Sequence, residues 1–149
     1  IGAQNVEMMK QSVRSGFELL FITAFVLTGL VWLGHKEIAH IYVKDPSVIQ
    51  LTSELIGLVA LYHFFDAIQT ICFFVLRSLK VVFMPFIIYS CMLWGLGLGG
   101  GFMLAYENDV IFYQSPSAFW LSSSIALVLV SVSLLLLLRM KLNRFGPKP

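Results

Sequence analysis

Apolar residues along this chain gather in long runs, with neither the alternation of strands nor the narrow stripe of a surface helix. Near-continuous hydrophobic stretches cover residues 17–33, 47–76, 81–106 and 117–138, and most charged positions fall between them. A helix rises about 1.5 Å per residue and the hydrocarbon core is about 30 Å thick, so roughly 20 apolar residues make one span. Each run therefore predicts a membrane-spanning helix. The first is the shortest and is expected to extend backward as helix through Met8 to Gly16. The second is longer than one bilayer needs and opens at Asp45-Pro46, where Pro suits the first helical turn and Asp a cap. The third carries no charged residue, and the fourth starts cleanly after Ser115-Pro116 and closes in a Leu134 to Leu138 block. Only helices and closed barrels satisfy every backbone N–H and C=O inside lipid, and runs this long without alternation are not barrel strands. The expected fold class is an all-α membrane protein with four transmembrane helices.

Composition agrees. Of 149 residues, 58% are hydrophobic and 12% charged, with a mean hydropathy of +0.87, which excludes a compact soluble domain. Ten Lys/Arg against eight Asp/Glu leave +2, so no basic excess points to nucleic acid as a partner. The position of the charges says more than their sum. Lys10, Arg14, Arg77, Lys80, Arg139, Lys141, Arg144 and Lys148 all fall on one side of a four-span chain, whereas the other side holds Lys36 and Lys44 beside Glu37 and Asp45. The remaining loop, from Glu107 to Ser115, has acids and no Lys or Arg. The positive-inside rule then makes both termini cytoplasmic, with Tyr42, Tyr106, Tyr113 and Trp120 near the outer boundary. The chain opens on Ile1 without a signal-peptide pattern, so translation is expected to begin upstream.

Asp66 is the main candidate for chemistry, about twenty residues into the second run and about ten before its basic end. A carboxylate at the bilayer centre costs about 2.5 to 3.5 kcal/mol on insertion scales, so it faces the protein interior or a wet cavity and marks an ion or proton pathway. Residues three or four apart share a helix face, which adds Tyr62 and His63 one turn before and Gln69 and Thr70 one turn after. Such a carboxylate exchanges a proton or is compensated by a cation such as Na⁺. His63 with Asp66 is half of a metal site at best, since no further His or Cys stands at ligand spacing; it reads as a polar neighbour, and no metal is assigned. Glu18 and Glu54, near span ends, read as interfacial. Cys72 and Cys91 sit inside apolar runs and read as small hydrophobes. Gly95, Gly97, Gly99 and Gly101 form two small-xxx-small pairs for close helix packing. The same run formally contains G-x-G-x-x-G, but it lies inside a span with no preceding strand, so nucleotide binding is rejected. Ser124 and Ser131 read as helix contacts. No paired carboxylates, activated nucleophile or Walker motif appears, and neither an enzyme nor a cofactor is expected.

The segment Tyr62-His63-Phe64-Phe65-Asp66-Ala67-Ile68-Gln69, followed by Leu76-Arg77, resembles the Tyr…Asp-x-x-Gln…Leu-Arg-Gly signature of the multidrug and toxic-compound extrusion (MATE) transporters, especially their NorM-like branch. Trp94 to Gly101 is similar to the family's Trp-x-x-Gly-Leu-Pro-x-Gly stretch, Ile41-Tyr42 to Val48 to an outer loop and helix start, and Ala118-Phe119-Trp120 to the entry of the last helix. The resemblance covers nearly the whole chain and implies the last four of twelve helices in a two-lobed bundle. It further implies a bacterial inner (plasma) membrane location and cation-coupled efflux of small organic cations and drugs. Na⁺ or H⁺ is the coupling ion so implied, Asp66 belongs to the coupling site, and the remaining helices, in the same chain or in trans, are partners beside the lipid bilayer. Departures from the pattern are Ser78 for Gly, Lys80-Val81-Val82 for Lys-Asp-Thr and Gly99 for the usual Pro. Two other readings stay open: a free-standing four-helix membrane protein with a structural or assembly role, and a lipid-linked polysaccharide exporter of the wider flippase superfamily.

Overall fold

A computed structural model describes residues 6–106 and 116–144. All described elements are helical: α1 (Val6–Leu33), α2 (His35–Tyr42), α3 (Pro46–Ser78), α4 (Phe83–Cys91), a π-helical segment (Met92–Gly99), α5 (Gly100–Tyr106) and α6 (Pro116–Asn143). Among the described residues four helical stretches are long and apolar enough to cross a membrane: α1, α3, the continuous Phe83–Tyr106 rod and α6. Helix α1 begins at Val6, in line with the expected backward extension of the first run. The expected outer loop is partly helix, because His35–Tyr42 folds as α2 before the chain turns at Val43. The Glu107 to Ser115 loop, Tyr113 within it and Lys148 lie outside the described residues.

Local chemistry sets the ends of α3. Asp45 caps its start, accepting from the Ser47 backbone N–H at 2.9 Å and from its hydroxyl at 2.7 Å, with Pro46 in the first turn. Both bonds favour the ionised carboxylate, the hydroxyl's most, and hold Asp45 below its ordinary 3.8. At the other end Lys80 N–H donates to the Arg77 carbonyl and Val81 N–H to the Leu76 carbonyl, each at 2.9 Å. This is a Schellman closure, and Lys80 occupies its left-handed position with φ 60°. Glycine is the usual residue there because a Cβ is crowded in that conformation.

Helix α6 is the spine. Half of its spanning stretch is buried, against 6% of that of α1. On one side α6 packs along α3 through a core of Cys72, Leu76, Val130, Leu134, Leu137 and Leu138. Ser131 fastens this seam: its hydroxyl reaches the Phe65 carbonyl of α3 at 2.9 Å and its own Leu127 carbonyl at 2.8 Å. On the other side α6 meets the third span, where the Ser122 hydroxyl donates to the Leu96 carbonyl at 2.6 Å. Helix α1 lies antiparallel on the outer flank of α3, with Phe21 edge-on to Phe64 at 5.4 Å, Thr28 bonded to the Ala60 carbonyl at 3.4 Å and Trp32 resting on Gly57.

The third span is π-helical from Met92 to Gly99, a wider coil that shifts the register of the faces it presents, and Gly100 and Gly101 open α5. Gly97 and Gly101 face α6: a Cβ on Gly97 would meet Ser123 at 3.5 Å, and one on Gly101 would stand 2.7 Å from a Phe119 ring carbon and 3.0 Å from its Cα. Gly100 joins them, with Ser122 Oγ 2.7 Å from its would-be Cβ. Among the described residues, a Cβ on Gly95 or Gly99 would meet no other helix within 4 Å. The close approach therefore uses one of the two glycine pairs, plus a glycine outside both.

Packing and capping lead to three expected outcomes. Gly101→Ala should cost about 1–3 kcal/mol by overpacking against Phe119, seen as a lower detergent melting temperature, whereas Gly95→Ala should not lower it. Lys80→Gly should raise stability by about 1 kcal/mol by relieving the left-handed position. The Asp45 cap carries a lowered pKa, so its contribution is complete above the ordinary carboxylate range and fades as pH falls through the lowered value; a melting temperature in Asp45→Ala should lose this part of the acid dependence.

Candidate cation-coupling site

Spacing along α3 puts Tyr62, Asp66 and Gln69 on one helix face at i, i+4 and i+7. Helix α3 rises about 17 Å between Asp66 and Arg77 and about 30 Å between Pro46 and Asp66, so the carboxylate stands near mid-bilayer when Arg77 is at the interface. Asp66 is half-buried and Gln69 buried. The Gln69 amide Nε2 donates to Asp66 Oδ1 and to Thr70 Oγ1, both at 3.3 Å. Among the described residues its buried Oε1 finds no hydrogen-bond partner. A buried acceptor costs about 1–3 kcal/mol when left unpaired. Gln69 thus places an unsatisfied carbonyl beside a carboxylate it already holds, and both oxygens are suited to a proton donor or a small cation.

His63 departs from this group. It is exposed, about 100° around the helix from Tyr62, and touches that ring edge-on at 6.3 Å. Among the described residues no three His, Cys, Asp or Glu side chains come together as a metal site. Glu18 pairs with Arg14 at 2.7 Å on the exposed face of α1, and Glu54 accepts from Gln50 at 3.4 Å.

The two polar neighbours of Asp66 open onto different cavities. Tyr62 lines one of 370 Å³ with Trp94, Phe119, Trp120 and Ser123, its ring edge-on to Trp120 at 5.8 Å. Gln69 lines the other, of 600 Å³, with Thr70, Phe73, Tyr89 and Arg77. Asp66 itself lines neither cavity; its neighbours one turn away on α3 line an aromatic one and a more polar one that reaches Arg77. Trp94, Trp120 and Tyr89 join this surrounding only through tertiary packing. The single hint in the sequence is their position as large amphipathic rings inside apolar runs.

Comparison with known proteins bears on this arrangement. The MatE family model matches residues 1–103. The chain is 32% identical over 145 residues to a probable multidrug resistance protein NorM of Aromatoleum aromaticum, covering 96% of this chain and 31% of that protein. It is 34% identical over 115 residues to the multidrug resistance protein MdtK of Klebsiella pneumoniae, covering 77% of this chain and 25% of that protein. Against MdtK of Yersinia pseudotuberculosis it is 29% identical over 139 residues, covering 93% and 30%. The chain thus spans about a third of the length of the curated relatives it matches. Four spans and bacterial relatives of this kind mark an integral membrane protein of the bacterial inner-membrane type. With more than half its length matched by the family model, the chain belongs to the MatE family, whose members are membrane transporters and not enzymes and whose antiporters are cation-coupled.

Proposed function

We propose that this chain supplies the last four helices of a twelve-helix, two-lobed multidrug efflux antiporter, that both its termini are cytoplasmic, and that Asp66 couples export of small organic cations to entry of Na⁺ or H⁺. The observation that carries the reading is the half-buried carboxylate held by Gln69 in the α3 span, with cavities lined by its neighbours Tyr62 and Gln69. Such a position suits alternating access, in which a midplane site is exposed first to one side and then to the other.

The division of labour follows from electrostatics. Asp66 holds the positive charge. Gln69 orients it through Nε2 and offers Oε1 to whatever occupies the site. Tyr62 lines the aromatic cavity with Trp94 and Trp120, rings of the kind that attract organic cations. An inward unit charge in a ~100 mV potential supplies about 2.3 kcal/mol, enough for roughly fifty-fold accumulation of an exported substrate. Coupling also demands that cation and substrate not be held equally well in both orientations, since only differential affinity shifts the equilibrium.

In the complete transporter, Asp66→Asn should reduce Na⁺- or pH-driven dye efflux to the uncoupled background while membrane insertion stays intact. His63→Ala, on the exposed flank, should retain efflux. Unchanged dye efflux in Asp66→Asn would remove the coupling role.

A further inference from the structure

The start of α1 and the end of α6 face one another at one end of the bundle across an open groove of 630 Å³. Its walls have a consistent order. From Lys10 and Arg14 the α1 wall runs to Phe17, and from Arg139 the α6 wall runs back to Leu136, Leu135 and Val132. On each wall seven residues separate the outermost cation from the deepest apolar residue, which is about 10 Å of helix. Leu142 and Asn143 continue the α6 wall beyond Arg139, so the groove carries its cations at one end and apolar side chains along about 10 Å below them, and among the described residues no acid lines it.

We infer that this groove is a binding site for one anionic phospholipid, with the phosphate at Lys10, Arg14 and Arg139 and an acyl chain along Phe17, Leu135 and Leu136. Charge complementarity fixes the occupant. Lys10 and Arg139 meet a headgroup from opposite walls. Arg14 gives its Nε–H to Glu18 at 2.7 Å, an exposed pair, and a guanidinium has five N–H donors, so those of its terminal nitrogens remain for a phosphate. A zwitterionic headgroup brings its own cation toward three others and loses this advantage. The floor selects against a free anion, because Leu136 is 56% exposed and a chain laid on it removes apolar surface that phosphate alone would leave open. Basic pockets between spanning helices are a recognised means of holding acidic headgroups. Lipid binding here depends neither on Asp66 nor on the efflux reading.

The test is native mass spectrometry of the full chain in detergent, titrated with dioleoyl phosphatidylglycerol or dioleoyl phosphatidylcholine. The expected result is preferential retention of one phosphatidylglycerol, weakened by salt. A combined Lys10→Gln, Arg14→Gln, Arg139→Gln variant should lose about a hundredfold in apparent affinity, since each basic residue contributes roughly fivefold. An Arg77→Gln, Lys80→Gln variant, which removes basic residues outside the groove, should retain it. Should the triple variant fail to fold, Arg139→Gln alone should still lose roughly fivefold. Equal retention of the two lipids, equal loss in the Arg77/Lys80 variant, or competition by glycerol 3-phosphate as effective as by the lipid would each overturn the assignment.

Discussion

Hydrocarbon offers no water to a polar group, and most of what this bundle does with its few polar residues answers to that constraint. The backbone satisfies itself as helix. Side chains must then find partners on neighbouring helices, and each such partnership becomes a joint: Ser131 on the Phe65 carbonyl joins α6 to α3, Ser122 on the Leu96 carbonyl joins α6 to the third span, and Thr28 on the Ala60 carbonyl joins α1 to α3. Asp66 is the most demanding member of the set, and Gln69 answers only part of its need.

The joints and the glycines cooperate. A hydroxyl can reach a carbonyl on another helix only when the two backbones come close, and the missing Cβ atoms of Gly97, Gly100 and Gly101 allow that on one flank of α6. The π-helical turn between Met92 and Gly99 belongs to the same compromise, because it turns these glycines toward Ser122 and Ser123 while leaving Gly95 open. Helix α6 packs on two sides and buries half of its spanning stretch, whereas α1, on the flank of α3, leaves most of its large side chains exposed in this chain.

Long apolar runs, the Asp45-Pro46 start and the lone mid-span carboxylate are all legible in the amino-acid sequence, because each depends on residues adjacent in the chain or one turn apart. Helix α2 is not, since His35–Tyr42 is short and bears charges that read as loop. Spacing also groups His63 with Asp66, yet the face that α3 turns inward runs through Tyr62, Asp66 and Gln69, and only the packing of α6 decides that. The two glycine pairs are two positions apart, about 200° around a helix, so only one of them can face α6, and which one it is depends on tertiary packing. Tyr89, Trp94 and Trp120 enter the surroundings of the site from other helices, where no local pattern marks them.

The central claim is that Asp66 is a carboxylate in a membrane interior that exchanges its counter-cation. The most direct measurement is modification of the membrane-embedded protein by a hydrophobic carbodiimide, located by peptide mass spectrometry across a series of Na⁺ concentrations and pH values. The account predicts that Asp66 is modified and that rising Na⁺ or rising pH suppresses the reaction. A modification rate at Asp66 that neither condition changes would contradict it.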